Sequence, residues 1–179
     1  MSKKVLILSG SPRKGGNSDL LCDEFLRGAK ESGNQVEKIF VREKKIGYCM
    51  ACYYCKGHQG VCAIKDDMAE ILEKIKEADV IVMSSPVYFY SIDAQMKTLI
   101  DRCVAQWTSI KNKEFYYIMT AAEDSGDVMD CTLECFRGFA VCLAGSVEKG
   151  VICGKGVYDA GAIKNHPAMK EAYEMGRQV

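Results

Sequence analysis

Four cysteines fall within fourteen residues. Cys49, Cys52, Cys55 and Cys62 follow the spacing C-x2-C-x2-C-x6-C. Three thiolates so spaced can converge on one cubane, with a fourth supplied from further along. A C-x2-C pair can also serve as a redox dithiol. Structural zinc sites usually join two short hairpins across a longer span, which this segment lacks. The residues themselves leave an iron–sulfur cluster, zinc, and free or oxidised thiols open. His58 lies inside the segment and reads as a surface residue, because four thiolates already complete a site.

A second chemistry is written at Ser9-Gly-Ser-Pro-Arg-Lys-Gly-Gly-Asn-Ser18, directly after the apolar run Val5–Leu8. Gly10 and Gly15 have a Walker A separation, but Gly16 stands where the lysine belongs. Pro12 stands where a dinucleotide fingerprint needs its second glycine. The loop offers tight turns, free amides at a helix start, short polar side chains at Ser11, Asn17 and Ser18, and a planar cation at Arg13. That set suits a phosphate monoester. Helix capping alone would need only one of these residues. A third segment, Pro86-Val-Tyr-Phe-Tyr-Ser91, carries three aromatics at the end of an apolar run, which suits the rim of a flat conjugated ring. Small residues in Thr120–Gly126 leave room for a planar ligand.

These segments need positioning elements, and strands and helices alternate along the chain. Val5–Leu8, Val80–Met83 and Phe115–Met119 read as buried parallel strands. Gln35–Val41, which carries Glu37 and Lys38, reads as an edge strand. A fifth strand ends at Val151-Ile-Cys153. Helical periodicity starts at Ser18 (Leu21, Phe25, Ala29) and stops at Gly33-Asn34. It recurs with Met68, Ile71, Leu72 and Ile75 behind an Asp66-Asp67 cap, with Met96, Leu99, Ile100 and Cys103 from about Asp93, over Asp127–Leu143, and over Pro167–Met175. The pattern predicts an α/β fold: a doubly wound, five-stranded parallel sheet in the flavodoxin-like order 2-1-3-4-5, flanked by helices. Ligands of such sheets bind outside the carboxyl ends of strands one and three, where Ser9–Ser18 and Ser84–Ser91 lie. One domain over 1–179, with a cysteine-rich insertion at about 47–63, fits the length.

Gly10-Ser-Pro-Arg13 with Asn17-Ser18, then Ser85-Pro-Val-Tyr-Phe-Tyr-Ser91 and Met96-Lys-Thr-Leu-Ile-Asp-Arg102, resemble the flavodoxin-like NADPH-dependent FMN reductases over essentially the whole chain. The cysteine motif resembles the iron–sulfur flavoprotein branch of that family. The resemblance implies FMN, with its phosphate near Ser9, Ser11, Arg13, Asn17 and Ser18. Its ring would lie against Pro86, Val87, Tyr88, Phe89, Tyr90 and Ser91, with Ala121, Ala122 and Glu123 on the other side. It implies a [4Fe–4S] cluster on Cys49, Cys52, Cys55 and Cys62, NADPH or NADH as reductant, a homodimer or tetramer, and an electron-transfer partner such as a ferredoxin.

The expected function is an FMN-binding oxidoreductase passing electrons from reduced nicotinamide or a protein donor to an acceptor. The alternative is a flavodoxin-type carrier without turnover; the neutral net charge of +0 counts against it, since such carriers are commonly acidic. A structural protein with a zinc knuckle would leave the phosphate loop and Tyr88-Phe-Tyr90 without a role. Zero net charge implies no nucleic-acid partner, and no run is long enough for a membrane span, so a cytoplasmic protein is expected. Cys22, Cys103, Cys131, Cys135, Cys142 and Cys153 are expected as small core residues; Trp107 is expected to finish the core, with an interface position as the alternative. Arg13, Lys14 and Lys155 are the charges available to a nicotinamide cofactor.

Overall fold

The computed structural model describes residues 2–179. Apolar runs form five strands: β1 (Lys4–Ser9), β2 (Gln35–Phe40), β3 (Val80–Pro86), β4 (Glu114–Thr120) and β5 (Val147–Gly154). All pair in parallel, in the order β2-β1-β3-β4-β5. The helices are α1 (Asn17–Glu31), the single turn α2 (Tyr54–Gly57), α3 (Met68–Glu77), α4 (Ala94–Arg102), α5 (Asp130–Val141) and α6 (Pro167–Arg177). The charged second strand is at the edge, as its composition predicts. No helix among the described residues is long and apolar enough to cross a membrane.

Strand side chains alternate between two cores. Val5, Ile7, Val82, Ile118 and Ile152 pack with Leu21 and Phe25 of α1 and Ala168 and Ala172 of α6. Leu6, Leu8, Ile81, Met83 and Phe115 pack with Ile71, Leu99 and Phe136 of α3, α4 and α5. One irregularity interrupts the sheet: Phe115 pairs with Glu148 but Tyr116 with Gly150, so Lys149 is the extra residue of a bulge.

Helix α1 ends as its Gly-Asn signal predicts. Gly33 takes a positive φ of 87°. Its amide donates to the Lys30 carbonyl at 2.9 Å and that of Asn34 to Ala29 at 3.2 Å, which is the Schellman arrangement. Helices α1 and α6 cross through small residues. A Cβ on Gly28 would overlap the Tyr173 carbonyl oxygen, and one on Gly176 the Phe25 carbonyl oxygen.

Three expectations are corrected. Trp107 is not in the core; it stands 45 % exposed on a short 3-10 turn. Only some of the scattered cysteines are core residues. Cys22 and Cys103 are buried, and burial pushes both thiols up to about 12. Cys135 and Cys153 are half-buried, whereas Cys131 and Cys142 are exposed, because α5 turns Thr132, Phe136 and Phe139 inward instead. Finally, Asp67 does not cap α3 with its side chain. Its carboxylate accepts from the Lys45 amide, and Asp66 accepts from the Met68 amide.

Candidate functional site

The first site lies where strand order reverses, outside the ends of β1 and β3. Gly10 leaves β1 by donating to the Ser84 carbonyl at 2.8 Å. A Cβ here would sit 2.6 Å from Asp93 Oδ2 and 2.7 Å from that carbonyl oxygen, so glycine is required. Ser11 Oγ then accepts from the Arg13 amide at 3.2 Å and donates to the Arg13 carbonyl at 2.8 Å. Gly15 turns through φ 68°, and the Gly16 amide closes onto the Arg13 carbonyl at 2.9 Å. The result is a tight loop with Arg13 at its tip. Gly16 is the N-cap of α1 and no side chain caps the helix, which leaves first-turn amides for an anion.

A cleft of about 250 Å³ opens over this loop. Of the residues expected from sequence, Ser11, Arg13, Asn17, Ser18, Pro86, Val87, Tyr88 and Ala122 line it. Ser9 is buried beneath, donating to Asp19 Oδ1 at 2.9 Å; Asp19 also accepts from the Gly15 amide and from Lys38, which bridges to Asp23. Asn17 borders the cleft, but its amide works as a clamp. Nδ2 donates to the carbonyls of Val157 (3.2 Å) and Asp159 (2.9 Å), and Oδ1 accepts from the amides of Gly161 (2.9 Å) and Ile163 (3.3 Å). Asn17→Ala is therefore expected to cost about 2 kcal/mol and to loosen residues 157–163. Chemical denaturation together with hydrogen exchange of those amides checks this.

Past Pro86, the Val87 amide donates to the Thr120 carbonyl at 2.8 Å, and Tyr88 and Ser91 exchange two backbone hydrogen bonds of 2.9 Å. They close a two-residue turn whose central residues, Phe89 (φ 48°) and Tyr90 (φ 61°), are both left-handed. Asn-Gly favours such a turn and bulky residues resist it. Phe89 is wholly exposed and Tyr90 half so. Ser91 Oγ meets Cys135 Sγ at 3.5 Å. These three stand outside the cleft lining. Tyr90→Gly should therefore raise stability by about 1 kcal/mol, read as a shift in the urea midpoint.

On the far wall, Ala121 and Glu123 contribute backbone rather than lining. Ala121 bonds Gly154 and Val157, and Glu123 accepts from Gly156. The sequence reading missed Pro12, Gly16, Thr120, Val157 and Tyr158 as lining residues. The first three adjoin predicted positions. Val157 and Tyr158 come from the segment after β5, which no local pattern marks.

The second site is the cysteine segment. Its neck is tied by the Lys45 amide on Asp67 Oδ2 (2.7 Å), the Asp67 amide on the Lys45 carbonyl (3.0 Å) and the Gly47 amide on Asp66 Oδ2 (2.8 Å). Arg102, 2 % exposed, lies beneath. Its Nη1 donates to the Gly47 carbonyl and to Asp66 Oδ2, both at 2.7 Å, and its Nη2 to Asp66 Oδ1 at 3.0 Å. Burial pushes the Asp66 carboxyl up, but the Arg102 guanidinium and the Gly47 and Met68 amides hold it below the usual carboxylate range.

Ala51, Tyr53 and Gln59 all take positive φ, wrapping the segment around a cavity of about 580 Å³. Cys49, Cys52, Cys55 and Cys62 all line that cavity, with Arg102, Val104 and Trp107 as its floor and wall. All four are free thiols. Among the described residues, no three His, Cys, Asp or Glu side chains are drawn together around a single ion; the four cysteines are spread along the cavity lining instead. His58 faces outward as expected, stacked on Tyr54 at 3.6 Å with Nδ1 on the Tyr54 carbonyl.

Comparison with known proteins gives the family and the fold. An iron–sulfur flavoprotein of Methanocaldococcus jannaschii is 48 % identical over 99 residues, 55 % of this chain and 51 % of the relative. One of Methanosarcina thermophila is 42 % identical over 101 residues, 56 % of this chain and 52 % of the relative. The matched region thus spans about half the length of these curated relatives. Among solved structures, an NAD(P)H:quinone oxidoreductase of Methanothermobacter marburgensis superposes with a TM-score of 0.77 at 17 % identity, covering 99 % of this chain and 96 % of the other. An FMN-dependent NADH-azoreductase of Bacillus anthracis in complex with FMN gives 0.75 at 18 %, covering 98 % of each. Residues 3–134 match the family described as NADPH-dependent FMN reductase, and the chain belongs to that family.

Proposed function

We propose that the chain is an NAD(P)H-dependent FMN oxidoreductase whose four clustered cysteines hold a [4Fe–4S] cluster. The observation that carries this reading is the pairing of an uncapped helix start, cradled by Ser11–Gly16, with a separate cavity whose lining includes all four free cysteines. The cradle fits a phosphate: a Cβ on Gly16 would come within 2.9 Å of both the Arg13 carbonyl oxygen and Ser11 Oγ, so the glycine keeps the backbone low enough for an anion to reach it. Arg13 supplies charge and planar donors, and the Ser11 and Ser18 hydroxyls lie in the same wall. Pro86, Val87 and Tyr88 present backbone and one aromatic face on the ring side, with Ala122 leaving space opposite. A cubane is wider than one ion, so thiolates arranged around a cavity suit it better than zinc, whose ligands meet at a point.

When bound, FMN supplies two-electron acceptance from a nicotinamide, and the cluster supplies one-electron traffic to an acceptor. The protein's own part is to bind, orient and exclude water. The acceptor is a one-electron protein of the ferredoxin type, met at the exposed cysteine segment, and the working form is a homodimer. Reconstitution of the full chain with FMN, iron and sulfide without oxygen tests this. Flavin bands, a broad air-sensitive visible shoulder and steady NADPH or NADH oxidation are expected, with Cys52→Ser losing the shoulder and keeping the flavin. Absence of FMN uptake at micromolar concentration would sink the flavin reading. Zinc without iron would sink the cluster reading, and flavin without nicotinamide oxidation would leave a carrier.

A further inference from the structure

Asp93 is a buried carboxyl that no step above uses. It joins the two loops of the switch point. It is 2 % exposed and heads α4, with Oδ1 accepting from the Met96 amide at 2.9 Å. Its Oδ2 lies 2.8 Å from Ser85 Oγ and, with the Ser84 carbonyl oxygen, forbids a side chain at Gly10. Its own amide donates to Ser85 Oγ at 2.8 Å. The same Ser85 Oγ is 2.7 Å from the Pro86 carbonyl oxygen.

A serine hydroxyl has one proton, and here two acceptors sit within reach of it. If Asp93 is ionised, its carboxylate and the Pro86 carbonyl compete for that proton. If Asp93 is neutral, its own O–H donates to Ser85 Oγ, and the Ser85 proton is free for the Pro86 carbonyl. Every contact in the group is then satisfied, and the backbone of a residue lining the cleft is pinned.

We infer that Asp93 is a positioning residue of the flavin cleft: in its protonated form it relays through Ser85 to fix the Pro86 carbonyl, and its ionisation releases that carbonyl and weakens cofactor binding. The inference rests on the FMN reading above. Burial raises the Asp93 carboxyl to about 6, against the hydrogen bonds from Met96, Ser85 and Gln95. Burial and these hydrogen bonds are the causes of the shift, and no charged side chain is among them. The sign follows from linkage. A carboxyl whose folded value is raised binds its proton more tightly folded than unfolded, so stability falls as pH rises between about 4 and 6.

The test is a fluorescence titration of FMN into the apoprotein from pH 5 to 8, beside urea unfolding of the same apoprotein. Wild type should lose affinity by up to about tenfold for each pH unit above 6. Asp93→Asn, whose amide donates to Ser85 at every pH, should bind tightly throughout, and Ser85→Ala should bind weakly throughout. The phosphate of FMN itself titrates near pH 6, but equally for every variant, so the difference between variants is the readout. Apoprotein stability should fall from pH 4 to 6 in wild type relative to Asp93→Asn. Parallel binding profiles for wild type and Asp93→Asn would overturn the inference while leaving the FMN reading intact. Absence of FMN binding by wild type would overturn the FMN reading, whereas the stability comparison would still report on Asp93.

Discussion

Arg102→Met is expected to cost about 3–5 kcal/mol of stability and to open the base of the cysteine segment. The guanidinium is 2 % exposed, and three of its hydrogen bonds reach across to Gly47 and Asp66. Methionine fills similar space but leaves the Asp66 carboxylate, only 9 % exposed, without its counter-charge. The loss should come mostly from that stranded charge. Arg102→Met with Asp66→Asn should therefore recover a large part of it, all the more because Arg102 Nε finds no hydrogen-bond partner among the described residues. The pH dependence has a definite sign. Arg102 holds Asp66 below its ordinary value, so the pair stabilises fully above the unfolded carboxylate range and loses that contribution as pH falls through the folded value. The gap between wild type and the double variant should close in acid. Urea unfolding at neutral and acid pH measures it, and under the proposed cluster reading iron retention after reconstitution should drop in Arg102→Met while flavin is kept.

Gly28→Ala and Gly176→Ala should each destabilise by about 3 kcal/mol, lowering the melting temperature by about 10 °C. Both changes improve helix propensity, by about 1 kcal/mol for glycine to alanine, and would look harmless from sequence. At the α1–α6 crossing, however, the new methyl group of each helix meets a backbone carbonyl of the other, and no rotamer removes it. The helices must separate, withdrawing Phe25, Ala29, Ala168 and Ala172 from a core in which each is at most 1 % exposed. Gly138→Ala is the control. It lies on α5 with nothing within 4 Å of the added carbon, so propensity alone should act and stability should rise. Thermal melts of the three variants separate the effects.

The sheet order was legible because its causes are local. Val5–Leu8 and Val80–Met83 are apolar without alternation, Glu37 and Lys38 mark an edge, and Gly33-Asn34 stops α1. The turn of the Ser9–Ser18 loop was legible for the same reason: Ser11, Arg13 and Gly16 act on one another within a few residues, whereas the need for glycine at Gly10 comes from Ser84 and Asp93. What stayed hidden depends on distant partners. Asn17 matches a ligand-binding pattern, yet all four of its recorded hydrogen bonds reach residues 157–163, far along the chain. Trp107 and the cysteines of α5 have core-like types, and only packing decides that Phe136 and Phe139 take the inner face. Arg102 ended a recognisable motif, but its place under the cysteines depends on Asp66, 36 residues earlier.

The knot at residues 45–47 and 66–67 also bears on how such a chain could change over generations. The strands of the neck meet in direct hydrogen bonds, so everything between them is a side pouch hung from a finished sheet. Lengthening or shortening a loop whose ends are already held together changes its closure entropy only slowly, by about 0.6 kcal/mol per doubling. A lineage could therefore acquire, enlarge or discard the thiol-bearing pouch without re-solving the fold. A chain with residues 49–64 replaced by a short turn should still assemble the five-stranded sheet and its cleft.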